Sequence, residues 1–167
     1  VKGEVAQLYL KRLMRTDKRR FLQELDRFRD LILQSSDIVK EDIGDGEGAI
    51  LRRGYLDMVP LNSFYMDGTF MFYDQEFCEE NYPANAIITR MITTLYSGNW
   101  ELDKLIPMEE LFERYHLSQN MSHWLEMERM FLSGLLNAEQ LRIYYGEHRI
   151  GDEGINSNRQ RINCSDA

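Results

Sequence analysis

Asp57, Asn62 and Asp74 are the residues of this chain whose types and spacing carry chemistry. They lie within Gly54 to Phe77, GYLDMVPLNSFYMDGTFMFYDQEF. Asp57 precedes Asn62 by five positions, with Pro60 between them. Proline fixes φ and removes a donor, which stiffens the loop. A hairpin centred on Asp67-Gly68, a strong two-residue turn signal, then carries Asp74 back toward the same end. Two carboxylates and an amide oxygen converging there suit a hard cation such as Mg²⁺. That ion takes one or two protein carboxylates and fills its other positions with water and phosphate oxygens. The second carboxylate can accept a proton from an attacking hydroxyl, a contribution of roughly 10²–10⁴-fold. Taken singly, each residue has a plainer reading, because Asp and Asn favour turns. The combination is what points to a site.

The elements that must position these residues follow from periodicity. Phe21, Leu25, Phe28 and Ile32, with Leu22 beside them, form a helical stripe capped by Thr16 or Asp17. Leu8, Leu10, Leu13 and Met14 form a shorter stripe before it, so residues 5–34 are either one bent helix or two. Residues 40–48, KEDIGDGEG, read as a flexible turn: Asp45 and Glu47 between Gly44, Gly46 and Gly48 would repel a phosphate. Ala49 to Arg53, Ser63 to Met66 and Phe70 to Tyr73 read as short strands. Helices follow at Ile87 to Leu95, stopped by Gly98, at Pro107 to Tyr115, with Glu109 and Glu110 in its first turn, and from Ser122 to about Tyr145. The expected fold class is mainly α with a few short β-strands, an α+β arrangement with a small hairpin beside a cleft. Residues 1–150 form the domain, and 151–167 a polar, poorly ordered tail.

Composition excludes several classes. The chain has 167 residues, 43% of them hydrophobic, enough for a real core. A net charge of −8 argues against a general nucleic-acid binder. No apolar run reaches the roughly 20 residues that span a bilayer. Charge is unevenly spread: residues 1–40 hold ten Lys/Arg against six Asp/Glu, and residues 41–140 hold six against eighteen. The basic cluster of Arg12, Arg15, Lys18, Arg19 and Arg20 reads as a solvated helix face. Cys78 and Cys164 match no metal spacing and read as free thiols in a reducing cytoplasm. His116, His123 and His148 lack zinc-helix spacing. The aromatic band Phe64, Tyr65, Phe70, Phe72, Tyr73 and Phe77 reads as core.

The Asp57–Glu76 stretch resembles the catalytic loop and metal-binding strand of the protein-kinase-like fold, in its aminoglycoside and choline phosphotransferase branch. That family carries an Asp-x-x-x-x-Asn loop, often with Pro three residues after the Asp, then a hairpin and an Asp-x-Glu triplet. Here these are Asp57-Met58-Val59-Pro60-Leu61-Asn62 and Asp74-Gln75-Glu76. The resemblance implies the helical lobe of such an enzyme. Asp57 would be the catalytic base, Asn62 and Asp74 metal ligands, and Tyr55, Pro60 and Glu76 supporting residues, with Mg²⁺ and ATP as cofactors. Leu111 to Tyr115 is similar to part of bacterial proteins that join a methyltransferase to a kinase-like domain, some acting on cell-surface polysaccharide. The expected function is therefore phosphate transfer from ATP to a hydroxyl of a small molecule or surface glycan, in the bacterial cytoplasm. Three departures stand against it. Tyr55 replaces the family's His, Gln75 replaces a common aromatic, and no glycine-rich hairpin with a strand lysine marks the smaller nucleotide lobe. The lobe is expected upstream in the same protein. The alternative is a non-catalytic, pseudokinase-like module supporting an attached methyltransferase or glycosyltransferase.

Overall fold

A computed structural model describes residues 3–135, and the expected tail from Gly151, His148 and Cys164 lie outside them. The fold is mainly helical with two small antiparallel sheets. In chain order it runs β1 (Glu4–Val5), α1 (Ala6–Thr16), α2 (Lys18–Gln34), β2 (Ile38–Lys40), β3 (Ile50–Tyr55), β4 (Ser63–Met66), β5 (Thr69–Phe72), β6 (Cys78–Pro83), α3 (Ala84–Tyr96), α4 (Met108–Arg114) and α5 (Met121–Leu135). Short 3₁₀ turns occupy Pro60–Asn62, Trp100–Lys104 and Ser118–Asn120. The chain divides after Glu128, and the architecture below is that of the first unit. Among the described residues no helix is long and apolar enough to cross a membrane.

The first helical stretch is two helices. Asp17 leaves helical geometry at φ −153°, and its carboxylate accepts the Arg20 N–H at 3.0 Å. That is an N-cap, which satisfies one of the orphan donors of a new helix. The α2 stripe of Phe21, Leu25, Phe28 and Ile32 is fully buried, against Leu10 of α1 and Ile87, Met91, Ile92 and Leu95 of α3. Nearly every residue of α3 is buried, so it is the central helix of the unit.

One sheet has the order β1-β4-β5 and the other β2-β3-β6. β4 and β5 form the expected hairpin through Asp67 and Gly68, both with positive φ. Successive strand residues face opposite sides. Tyr65, Phe70 and Phe72 therefore turn inward, Tyr65 stacking on Tyr9 at 3.8 Å and Phe28 meeting Phe70 and Phe72 edge-on at 5.0 and 5.1 Å. Phe64 and Tyr73 face outward, 5.0 Å apart and each 40% exposed, so the aromatic band is only half core.

β6 was not legible as a strand. Cys78 to Pro83 is polar and mostly exposed, and its pairing with β3 comes from backbone bonding, not from an apolar face. Gly54 lies close against the same strand, where a Cβ would sit 2.6 Å from Cβ of Tyr82. The basic cluster is partly engaged: Arg12 pairs with Glu4, Arg15 with Glu101 and Lys18 with Glu110, at 2.7, 3.5 and 3.1 Å. Each such exposed pair contributes about 0–1 kcal/mol.

Candidate functional site

β3 ends at Tyr55, and the chain turns through Leu56, Asp57 and Met58 into the Pro60–Asn62 turn. Pro60 stands at the first position of that turn, where a missing N–H costs nothing. The Val59 N–H donates to the Asp57 carbonyl at 2.8 Å and the Asn62 N–H to the Val59 carbonyl at 3.0 Å. Buried Ser63 donates its hydroxyl to the Val59 and Pro60 carbonyls at 3.3 and 3.2 Å, closing the turn beneath. The loop is thus fixed by its own backbone.

The hairpin then returns to this loop. Ser63 pairs with Phe72, and the Tyr73 N–H donates to the Asn62 carbonyl at 3.2 Å, extending the ladder by one rung. Asp74 is the next residue. The Gln75 amide donates to the Asp57 carbonyl at 3.1 Å and to the Tyr73 carbonyl at 3.0 Å, stitching loop to strand. The Leu56 N–H donates to the Phe77 carbonyl at 2.9 Å. Asp57, Asn62 and Asp74 are therefore held at one end of the hairpin.

Their surroundings differ sharply. The Asp57 side chain is 10% exposed. One carboxylate oxygen accepts the Phe77 N–H at 3.3 Å, and the other lies 3.9 Å from the Arg90 guanidinium. Arg90 also donates to the Leu56 carbonyl at 2.8 Å and pairs with Glu128 at 2.9 Å. The Arg90 and Glu128 side chains are only 7% and 9% exposed. Two carboxylates thus flank this buried guanidinium. Burial also holds the nearby Tyr82 hydroxyl above its ordinary value, against the opposing pull of Arg90.

Asp74 is exposed and sits at φ 57°, in the left-handed region that a non-glycine residue enters at a cost. Neither its carboxylate nor the half-buried Asn62 amide has a hydrogen-bonding partner among the described residues. A carboxylate and an amide oxygen are hard donors of the kind Mg²⁺ takes. Asp57 is already engaged and does not belong to that donor pair. No cluster of three or more His, Cys, Asp or Glu side chains suited to a metal occurs among the described residues. Of the supporting residues, Pro60 is buried in its turn, Tyr55 packs against the core opposite Cys78, and Glu76 is exposed.

Three further residues shape the site. Arg90 was visible in the sequence only as a lone charge in an apolar helix. Glu128 carried no signal. Gln75 stood out as a departure from the family pattern, yet its amide bridges the two halves of the site. One cost accompanies it, since its carbonyl oxygen is buried without a partner among the described residues. No protein-family model, no curated protein and no solved structure matches this chain.

Proposed function

We propose that this chain is the helical lobe of a kinase-like phosphotransferase, in a bacterial transferase that moves phosphate from ATP to a hydroxyl of a small molecule or cell-surface glycan. The observation that carries the reading is the gathering of Asp57, Asn62 and Asp74 at one hairpin end, with strain stored at Asp74 and its carboxylate free. Asn62 and Asp74 would hold Mg²⁺, which when bound neutralises charge on the phosphate oxygens. Asp57 would accept the acceptor hydroxyl's proton, and Pro60 and Gln75 keep its loop in register with Asp74. Phosphoryl transfer depends mainly on positioning and charge neutralisation. The nucleotide lobe that completes such a site would come from elsewhere in the protein, and the cytoplasm supplies ATP.

A second reading has its own support. Asp57 is closed in by Arg90 and by the Phe77 N–H, which suits a retired base in a non-catalytic module that orients an attached methyltransferase or glycosyltransferase.

The test is paramagnetic broadening of amide signals by Mn²⁺, with and without ATP, on the chain and its Asp74→Asn variant. Broadening confined to the Asn62 and Asp74 region and lost in the variant supports the metal-binding half of the site. Broadening scattered over the acidic surface, equal in both proteins, refutes it. Phosphate transfer by the whole protein, abolished by Asp57→Asn, separates the first reading from the second.

A further inference from the structure

Arg90 and Glu128 are buried charges that the proposed phosphate transfer does not use. The Arg90 Nε donates to the Leu56 carbonyl at 2.8 Å, and one of its Nη groups donates to Glu128 at 2.9 Å. The other Nη stands 3.9 Å from the Asp57 carboxylate, too far for a hydrogen bond. A charge-assisted pair normally closes to about 2.7–2.9 Å. Burial strengthens the attraction, because little water screens it. The gap between Arg90 and Asp57 is therefore held open against a pull.

The geometry shows what holds it. A guanidinium is a planar, rigid fork, so two hydrogen bonds fix its plane. The second Nη reaches Asp57 only if one of them is given up. The bond to Leu56 offers little resistance, since Leu56 adjoins Asp57 and belongs to the same turn. Glu128 comes from a different element, α5. Its second carboxylate oxygen accepts the Thr93 hydroxyl at 3.4 Å, which ties it to α3, the helix that carries Arg90. Charge points the same way. One guanidinium balances one carboxylate, and Asp57 with Arg90 would suffice for that. Glu128 adds a second desolvated carboxylate, a cost that calls for a role.

We infer that Glu128 is a positioning residue: it holds the Arg90 guanidinium back from Asp57 and so leaves that carboxylate able to accept a proton. The inference rests on the base role proposed above for Asp57. The experiment compares the parent with Glu128→Met, which removes the acceptor at similar volume, and Glu128→Gln, which keeps a neutral one. The first readout is NMR of the whole chain, through the scalar coupling that a hydrogen bond transmits between an Arg90 side-chain nitrogen and the Asp57 carboxyl carbon. The coupling is absent in the parent and appears in Glu128→Met, as the guanidinium closes on Asp57. A merely structural Glu128 would lower stability without creating it. The second readout is kcat for phosphate transfer by the whole protein. It falls about tenfold in Glu128→Met, part of the roughly 10²–10⁴-fold that a general base supplies, and by less in Glu128→Gln. Coupling in the parent, its absence from both variants, or coupling with no loss of kcat in an active protein overturns the inference. A whole protein that transfers no phosphate overturns the proposed function instead, and the coupling alone then decides whether Glu128 holds Arg90 back.

Discussion

Arg90→Met takes the guanidinium from between Asp57 and Glu128 while keeping most of the side chain's apolar volume. Removing one partner of a buried ion pair costs about 3–5 kcal/mol, because the charge left behind stays desolvated. Here two carboxylates are left, with side chains 10% and 9% exposed, and the Leu56 carbonyl loses its 2.8 Å donor as well. The loss belongs at the upper end of that range. It is a large share of the roughly 5–15 kcal/mol that holds a domain together. With a urea m-value of about 2 kcal/mol/M, the unfolding midpoint falls by about 2–2.5 M. Neutralising both acids, in Arg90→Met/Asp57→Asn/Glu128→Gln, recovers most of the shift. Either acid neutralised alone in the presence of Arg90 costs less, since the guanidinium keeps the other. The assay is urea unfolding followed by circular dichroism at neutral pH. A midpoint shift below about 0.5 M in Arg90→Met, or no recovery in the triple variant, refutes the idea that this buried network fixes the Asp57 loop.

Other substitutions probe the neighbouring features. Asp74→Asn leaves the unfolding free energy within about 0.5 kcal/mol of the parent, because the exposed carboxylate bonds nothing, yet it abolishes localised Mn²⁺ broadening. Gln75→Met removes two N–H···O bonds and destabilises by about 1–3 kcal/mol. The Leu56 and Phe77 amides in that variant exchange with solvent faster than in the parent. Gly48→Ala, with φ 72° and a clash against Asn85, costs about 1–3 kcal/mol in the same unfolding assay. Asp26 supplies the pH test. Burial pushes its carboxyl up, but the Arg114 guanidinium and the Tyr115 hydroxyl outweigh that and hold it below the ordinary value of 3.8. A carboxyl lowered by folding stabilises above its unfolded value and loses that contribution as pH falls through the folded one. The midpoint difference between the parent and Asp26→Asn is therefore greatest at neutral pH and shrinks steadily below pH 3.8.

Local patterns in the chain determined most of its elements. Helical spacing of Phe21, Leu25, Phe28 and Ile32 set α2, and the Asp17 cap set where it begins, since both act within a few residues. Asp67-Gly68 set the hairpin, because a tight turn needs positive φ at residues that tolerate it. The hairpin's length in turn brings Asp74 back beside Asn62, so the grouping of the candidate site was legible before any coordinates. Tertiary structure decided what those residues meet. β6 exists because β3 offers it backbone partners, and no side-chain pattern announces that. Which aromatics are core depended on which face of the β4–β5 pair meets Phe28, so Phe64 and Tyr73 fell outside. Arg90, 33 positions beyond Asp57, and Glu128, 38 beyond Arg90, reach the loop only because α3 runs through the middle of the unit. Asn85 joins Gly48 across a loop closure in the same way. Short-range spacing fixes which groups are present at one end of the hairpin. Long-range packing fixes their charge environment, and that leaves Asp74 free while it holds Asp57 against an arginine.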